Sequence, residues 1–358
     1  MESLKDVKLF IDPSSAAYYG DVLFCEDDEY YNRDNCLAPW IFLKKHLESL
    51  GCEVHTADYL LNNKYSGKKN IYISLGMVPN YKALAERSEV ILSAFFIFEP
   101  PVVAPGLYNK IKNISKYFKR VMMHTTGTGI YTYIRGVPNA HKFYWPQTED
   151  GIKEELWGNK KRKVLALING NKKPKKYFRE LYSERINAIK YFGTSGNLDL
   201  YGYGWDKDIF YLPYFLNRKV IRKSYKGSVK SKYETLSNYK FAVCFENMIL
   251  DGYITEKIFD CFFTGTVPIY LGAPDIGSYI PKNCFIDMRD FASYEELGDY
   301  LRSIGDDEIN IYKAAAKNYL NSERYKLFTK GYFAETIEKM IKEDLHQGGL
   351  LGETCLCW

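Results

Sequence analysis

Apolar and polar positions along the chain form two series in which short apolar runs alternate with stretches of helical spacing. In the first series, residues 7–11, 52–56, 70–75, 90–98 and 120–124 are strand-length runs. Between them, 39–50 reads as an amphipathic helix ended by Gly51, and 105–118 as a second helix. The second series predicts strands over 163–168, 198–203, 241–245, 267–271 and 285–288. Its helices are expected over 180–192, 232–238, 256–263, 294–304 and 309–320. Repeated strand–helix alternation means parallel sheets with helices on both faces. The polar stretch 148–162 separates the series. The pattern therefore predicts an α/β protein of two Rossmann-like domains facing each other across a cleft, with ligands beyond the carboxyl ends of the strands. From 326 to 345 apolar residues recur at helical spacing, among them Phe333, Ile337, Met340 and Ile341. This is read as a terminal helix packed on the body, with a membrane-surface helix as the other reading. Residues 348–358 carry no periodicity and read as a tail.

The length of 358 residues also suits two domains. With 46% hydrophobic and 26% charged residues, the composition excludes disorder, collagen and coiled coil. No apolar run reaches membrane-spanning length, and the first residues lack the apolar core of a secretion signal. Six of the eight cysteines are scattered singly and none forms a CxxC pair, so they read as reduced thiols. A soluble, cytoplasmic protein is expected, in which Asn113-Ile114-Ser115 is a glycosylation sequon by spelling only. The net charge is only +5, but between residues 160 and 232 there are 19 basic and 5 acidic residues, a local +14. Such a stretch could draw nucleic acid, an anionic membrane or a phosphorylated small molecule.

The chemistry concentrates in 241–281. A buried strand ends in Phe245-Glu246-Asn247, which places two polar side chains at its carboxyl edge. Thr255 is a candidate N-cap for the helix that follows. The helix start carries partial positive charge and free amides, and Lys257 adds a full charge there, so this corner suits a phosphate. Glu256 would repel phosphate and makes better sense as an acceptor for sugar hydroxyls beside it. Asp206-Lys207-Asp208 and Glu26-Asp27-Asp28-Glu29 have metal-like spelling but read as hydrophilic turns, and no metal is expected. Thr126-Gly127-Thr128-Gly129 lacks the lysine and third glycine of a phosphate loop and reads as a turn. Asn32-Arg33-Asp34-Asn35, ahead of the first helix, reads as a cap rather than an acceptor contact.

The segments FAVCFEN, YITEK and GTVPIYLGAP, with ELYSERINAIKYF and DLYGYGW upstream, resemble the signature of the α-1,3/α-1,4-fucosyltransferases, inverting GDP-fucose-dependent enzymes, in their bacterial branch. The resemblance covers most of 164–291 well and the first half more thinly. It implies a GT-B fold, with an acceptor-binding domain over 1–155 and a GDP-sugar-binding domain over 156–325. The amphipathic helix 326–347 and the tail 348–358 would follow. It also implies that Tyr253, Glu256, Lys257 and Asn247, with Glu246 beside them, bind the donor and that Arg185 binds the pyrophosphate. Leaving-group charge must be stabilised, and Arg185 with Lys257 would do so without a metal or other cofactor.

An inverting transfer needs one general base for the acceptor hydroxyl. Glu99, at the end of the apolar run 90–98 and held by Pro100 and Pro101, is the choice, and the family's base is a Glu in a similar place. His124 is the competing base; Phe98, Pro100 and His124 are the candidate acceptor contacts. The expected reaction moves L-fucose from GDP-β-L-fucose to O3 of an N-acetylglucosamine or glucose unit. The expected acceptor is a lipopolysaccharide or capsule glycan, in some cases lipid-linked and met at the inner face of the membrane through peripheral contact. Alternatives are another GDP-linked deoxysugar or L-galactose as donor, or a non-catalytic sugar-nucleotide or glycan binder. Nucleic acid is not expected as a partner, because no nucleic-acid motif accompanies the basic stretch.

Overall fold

The computed structural model describes residues 4–62, 69–76, 80–125, 136–158 and 162–347. The turn expected at 126–129 and the tail at 348–358 lie outside them. Two compact units result. The first is drawn from Met1–Glu99, Gly106–Thr148 and Leu327–Trp358, the second from Pro100–Pro105 and Glu149–Lys326.

The first unit holds a parallel sheet of β1 (Lys8–Asp12), β2 (Glu53–Thr56), β3 (Asn70–Ser74), β4 (Val90–Phe96), β5 (Arg120–Met123) and β6 (Ala140–Lys142). Its order is β2-β1-β3-β4-β5-β6. Central strands are buried on both faces because both are covered: Leu9, Val54 and Ile71 on one face and Phe10 and Tyr72 on the other are wholly buried. Helix α1 (Ala38–Ser49) starts where the Leu37 amide donates to Asn32 Oδ1 at 2.9 Å. Asn32 thus braces the turn that leads into the helix, whose N-cap position, Leu37, has no side-chain cap.

The second unit repeats the plan with β7 (Lys163–Ile168), α2 (Tyr182–Thr194), β8 (Leu198–Tyr201), α3 (Leu212–Ser224) and α4 (Lys232–Leu236). The chain continues through β9 (Tyr239–Phe245), α5 (Glu256–Thr264), β10 (Val267–Leu271), β11 (Ile286–Asp287), α6 (Tyr294–Ser303) and α7 (Asp306–Leu320). The sheet order is β11-β10-β9-β7-β8, again fully parallel. Read from β8, both sheets run second, first, third, fourth strand, so each has its topological switch point between its first and third strands. Arg162 closes the far end of α5, donating to the carbonyls of Thr264 (3.0 Å) and Gly265 (2.7 Å). A cation there complements the helix dipole. Gly265 itself takes φ +66°, and a Cβ on it would lie 3.0 Å from the Trp157 ring.

Helix α8 (Lys330–Gln347) returns to the first unit. Phe333, Ile337, Met340 and Ile341 are buried in one cluster with Leu9, Leu43, Leu47 and Phe96. Arg120 on β5 pairs with Asp344 and Glu343, both at 2.7 Å. The terminal helix is thus part of the first core. No helix among the described residues is long and apolar enough to cross a membrane.

Three elements differ from expectation. The helix expected over 105–118 is two single turns, Pro105–Tyr108 and Ile111–Ile114. The Lys110 amide bonds back to Leu107 in a tight turn, and Gly106, Asn109 and Asn113 hold the helix weakly. Strand β6 is short and largely polar, so only its backbone pairing with β5 defines it. Helix α3 escapes a periodicity reading because its apolar residues lie on opposite faces: Tyr214 and Ile221 are buried, whereas Leu212, Phe215 and Leu216 are exposed.

Candidate active site

In the second unit the chemistry gathers where β9 ends, beside the switch point. Residues 179–181 lie along 247–249: the Leu181 amide donates to Asn247 O (3.1 Å) and the Ile249 amide to Arg179 O (2.9 Å). This pairing holds the start of α2 against the Phe245-Glu246-Asn247 segment. Arg185, in the first turns of α2, is almost wholly buried. It donates to Phe245 O through Nε (3.2 Å) and Nη2 (2.7 Å), and from Nη2 to Asn247 Oδ1 (3.0 Å). Its guanidinium carbon sits 4.9 Å from the centre of the Tyr182 ring. Burial lowers its pKa from the usual arginine range, opposed by Tyr182 and Glu246, and it remains a cation. Asn247 in turn donates from Nδ2 to Tyr253 Oη at 3.2 Å. Arg185, Asn247 and Tyr253 therefore form one hydrogen-bonded row.

A second cluster opens α5. Thr255 stands at the N-cap position, yet its hydroxyl makes no capping bond to the helix backbone. It turns to Glu246, donating to its carboxylate at 2.8 Å, with its backbone amide adding a bond of 2.8 Å. The helix start is thereby left without a side-chain cap, the condition under which first-turn amides serve an anion. Lys257 Nζ lies 2.8 Å from Thr255 Oγ1, 3.2 Å from Glu246 and 3.3 Å from Glu256. Burial works against the Lys257 charge, but the two carboxylates outweigh it and raise its pKa. Burial pushes Glu246 up, opposed by Lys257 and Thr255. Glu246 is wholly buried beneath this network, so it reaches a ligand only through Lys257 and Thr255. Gly272 allows that placement: a Cβ there would lie 2.6 Å from Glu246 Cγ and 2.5 Å from Tyr270 Oη.

Glu256 is the partly exposed carboxylate of the group. Burial pushes it up, but Lys257 and Lys232 dominate and bring it down to about 2, so it is an anion at any ordinary pH. A small cavity of about 60 Å³ runs inward from it, lined by Asn169, Lys232, Lys257 and Asp260 among others. Asn169 follows β7 and Lys232 opens α4; sequence reading missed both because neither stands in the motif segment. Tyr182, beneath Arg185, was missed too, although it stands three residues before it on the same helix face.

In the first unit, Glu99 follows β4 and its carbonyl accepts from the buried Tyr108 hydroxyl at 3.1 Å. It lines a cavity of about 300 Å³ with Tyr18, Trp40, Leu75, Phe98 and Trp145. Apolar ring faces around one carboxylate suit a sugar, whose C–H faces pack on aromatics while its hydroxyls need an acceptor. Pro100 is buried. His124 is buried behind Phe98, with its Nε2 donating to Phe98 O at 2.8 Å and its ring stacked on Trp145. Burial brings its pKa down to about 3, leaving it neutral and occupied as a donor. Asp12 ends β1 as Glu99 follows β4, but it is buried and accepts from Tyr19 (2.8 Å), Asn80 (3.0 Å) and Tyr72. Its hydrogen-bonding capacity is taken up within the fold.

Among the described residues no group of three or more His, Cys, Asp or Glu side chains is placed to hold a metal ion. Asp208, from the metal-like spelling, instead accepts from Arg218 (3.0 Å) and Arg222 (2.9 Å) and anchors α3.

Two parallel-sheet α/β units make up this fold, and the glycosyltransferase from Rickettsia africae ESF-5, a protein of the GT-B class, shares it. That likeness covers 96% of this chain and 99% of the other, at a TM-score of 0.55 and 13% identity. Residues 157–327 match glycosyltransferase family 10 (fucosyltransferase), C-terminal part. The alpha-(1,3)-fucosyltransferase of Helicobacter pylori is 35% identical over 117 residues, 33% of this chain and 24% of the relative. The alpha-(1,4)-fucosyltransferase of Arabidopsis thaliana is 39% identical over 74 residues, 21% of this chain and 18% of the relative. The matched segments thus span about a quarter or less of these curated relatives.

Proposed function

We propose that the protein is an inverting, metal-independent fucosyltransferase that moves L-fucose from GDP-β-L-fucose to O3 of an N-acetylglucosamine or glucose unit. The acceptor glycan is of the lipopolysaccharide or capsule kind, met at the cytoplasmic face of a membrane. The observation that carries the reading is the pair of cationic sites at the β9 edge. Arg185 is set in a row with Asn247 and Tyr253, and Lys257 stands at a helix start without a side-chain cap.

Glu99 takes the proton of the acceptor hydroxyl as that oxygen attacks the anomeric carbon. The bond from that carbon to the GDP oxygen breaks, and its electron pair leaves on the β-phosphate. Arg185, Lys257 and the first amides of α5 receive the growing charge, which removes the need for a divalent cation. Glu256, fixed as an anion by its lysine neighbours, accepts hydroxyls of the sugar; Tyr253 and Asn247 orient the donor. Glu246 positions Lys257 and Thr255.

GDP release from GDP-fucose in chelator, with and without N-acetyllactosamine, tests the reading. Acceptor-stimulated release is expected for the wild type and a loss of at least about a hundredfold for Glu99→Gln, with GDP binding by calorimetry unchanged. GDP binding without turnover sends the question to a panel of GDP-sugars. Absence of GDP binding sinks the proposal.

A further inference from the structure

The basic stretch of the second unit leaves most of its charge outside the candidate active site. Of the eleven most exposed large hydrophobic side chains among the described residues, seven lie between Tyr177 and Leu216. Phe210 is 90% exposed, Leu216 76% and Leu212 70%, values that no intramolecular packing explains. These side chains belong to three segments joined into one surface. The Asn171 amide donates to Tyr203 O (2.9 Å), and Lys173 Nζ donates to Phe210 O (3.2 Å) while lying 5.9 Å from the Phe210 ring centre. The Tyr177 ring stands 6.3 Å from that of Tyr211, the residue before α3.

Helix α3 is firmly seated. Tyr214, Ile221 and Ser224 are buried on one side, and Gly193 of α2 lets Ser224 approach so closely that a Cβ there would lie 2.4 Å from its hydroxyl. Arg218 and Arg222 are tied down by Asp208. The opposite face presents Leu212, Phe215 and Leu216, followed at helical spacing by the exposed Lys219 and Lys223. The outward apolar stripe therefore belongs to a helix packed along its opposite side.

We propose that this face, made of residues 171–178, 203–211 and the outer side of α3, docks on an anionic lipid surface. Exposed apolar side chains interleaved with lysines are what such a surface rewards: the apolar groups enter the acyl boundary while the lysines meet phosphate headgroups. Nucleic acid would use the lysines and the rings, but it offers nothing to Leu212 and Leu216. The inference stands on this surface alone and does not depend on which sugar or acceptor the protein uses.

The test is co-sedimentation of the full chain with vesicles of phosphatidylcholine alone or with about one quarter phosphatidylglycerol. Partition onto the anionic vesicles is expected to exceed that onto the neutral ones by about tenfold or more and to weaken as salt is raised. Lys219→Glu with Lys223→Glu, and separately Leu212→Ser with Leu216→Ser, should each lower it about tenfold at an unchanged melting temperature. Phe210→Ser, in a loop, gives the same reading without touching the helix. Equal partition onto both vesicles overturns the proposal, as does wild-type partition by all three variants. Vesicle binding abolished by a single-stranded oligonucleotide that itself binds more tightly would also overturn it, in favour of nucleic acid.

Discussion

His124 shows how a single buried side chain sets an acid limit. Its imidazole is neutral in the fold because burial disfavours the charged form, even though Phe98 O accepts its Nε2 proton; Lys142 adds to the effect. In the unfolded chain it titrates near the ordinary value of about 6.5. As the pH falls below that, the unfolded state gains a proton that the folded state refuses until about pH 3. Stability is therefore full above the unfolded value and is lost through this window, at up to about 1.4 kcal/mol per pH unit. Melting temperatures followed from neutral to about pH 4 should fall less steeply for His124→Asn than for the wild type. Matching slopes would mean that the folded protein takes up the proton. The residue scale also marks the reach of a motif argument. Asp12 and Glu99 share the signal of a carboxylate ending an apolar strand, and only their surroundings separate them: Asp12 is buried among Tyr19, Tyr72 and Asn80, whereas Glu99 lines a cavity.

Among the elements, α8 is tied to the first sheet by a buried ion pair. Asp344 is wholly buried and Arg120 nearly so, and each is the other's close partner across α8 and β5. Removing the Asp344 carboxylate leaves Arg120 with Glu343 as its remaining close anion, so Asp344→Ala should cost about 3 kcal/mol in urea unfolding. The pair of substitutions Arg120→Met and Asp344→Leu should recover most of that loss. If the double variant is as unstable as the single one, packing rather than charge holds the helix end. The apolar spacing of α8 was legible because its buried residues all face one way. Helix α3 was not, because exposed and buried apolar residues share its turns.

At the scale of the molecule, the chain builds most of one unit, completes a second, and then returns to the first with its last helix. The α8 residues Phe333, Ile337 and Ile341 complete the core of the first unit. Ending the chain after Lys326 should uncover that core, raise hydrogen exchange in β1–β5 towards unfolded rates and bind a hydrophobic dye. Strands β7–β10 should keep their protection, since their core is made within 149–326. Protection retained in both units would show that α8 is dispensable.

The amino-acid sequence alone determined the two strand–helix series and the contiguous segment 241–281 with its donor-type residues. Periodicity and capping are local, and one short stretch of chain holds nearly all of that cluster. Only the tertiary structure decided which polar groups are consumed by the fold. Thr255 serves Glu246 rather than its helix, and Glu246 lies under Lys257 instead of facing a ligand. Tertiary structure alone also placed the terminal helix in the first core and left the apolar face of α3 outward. Those outcomes depend on partners distant in the chain, where packing and hydrogen-bond satisfaction are settled and no local pattern records them.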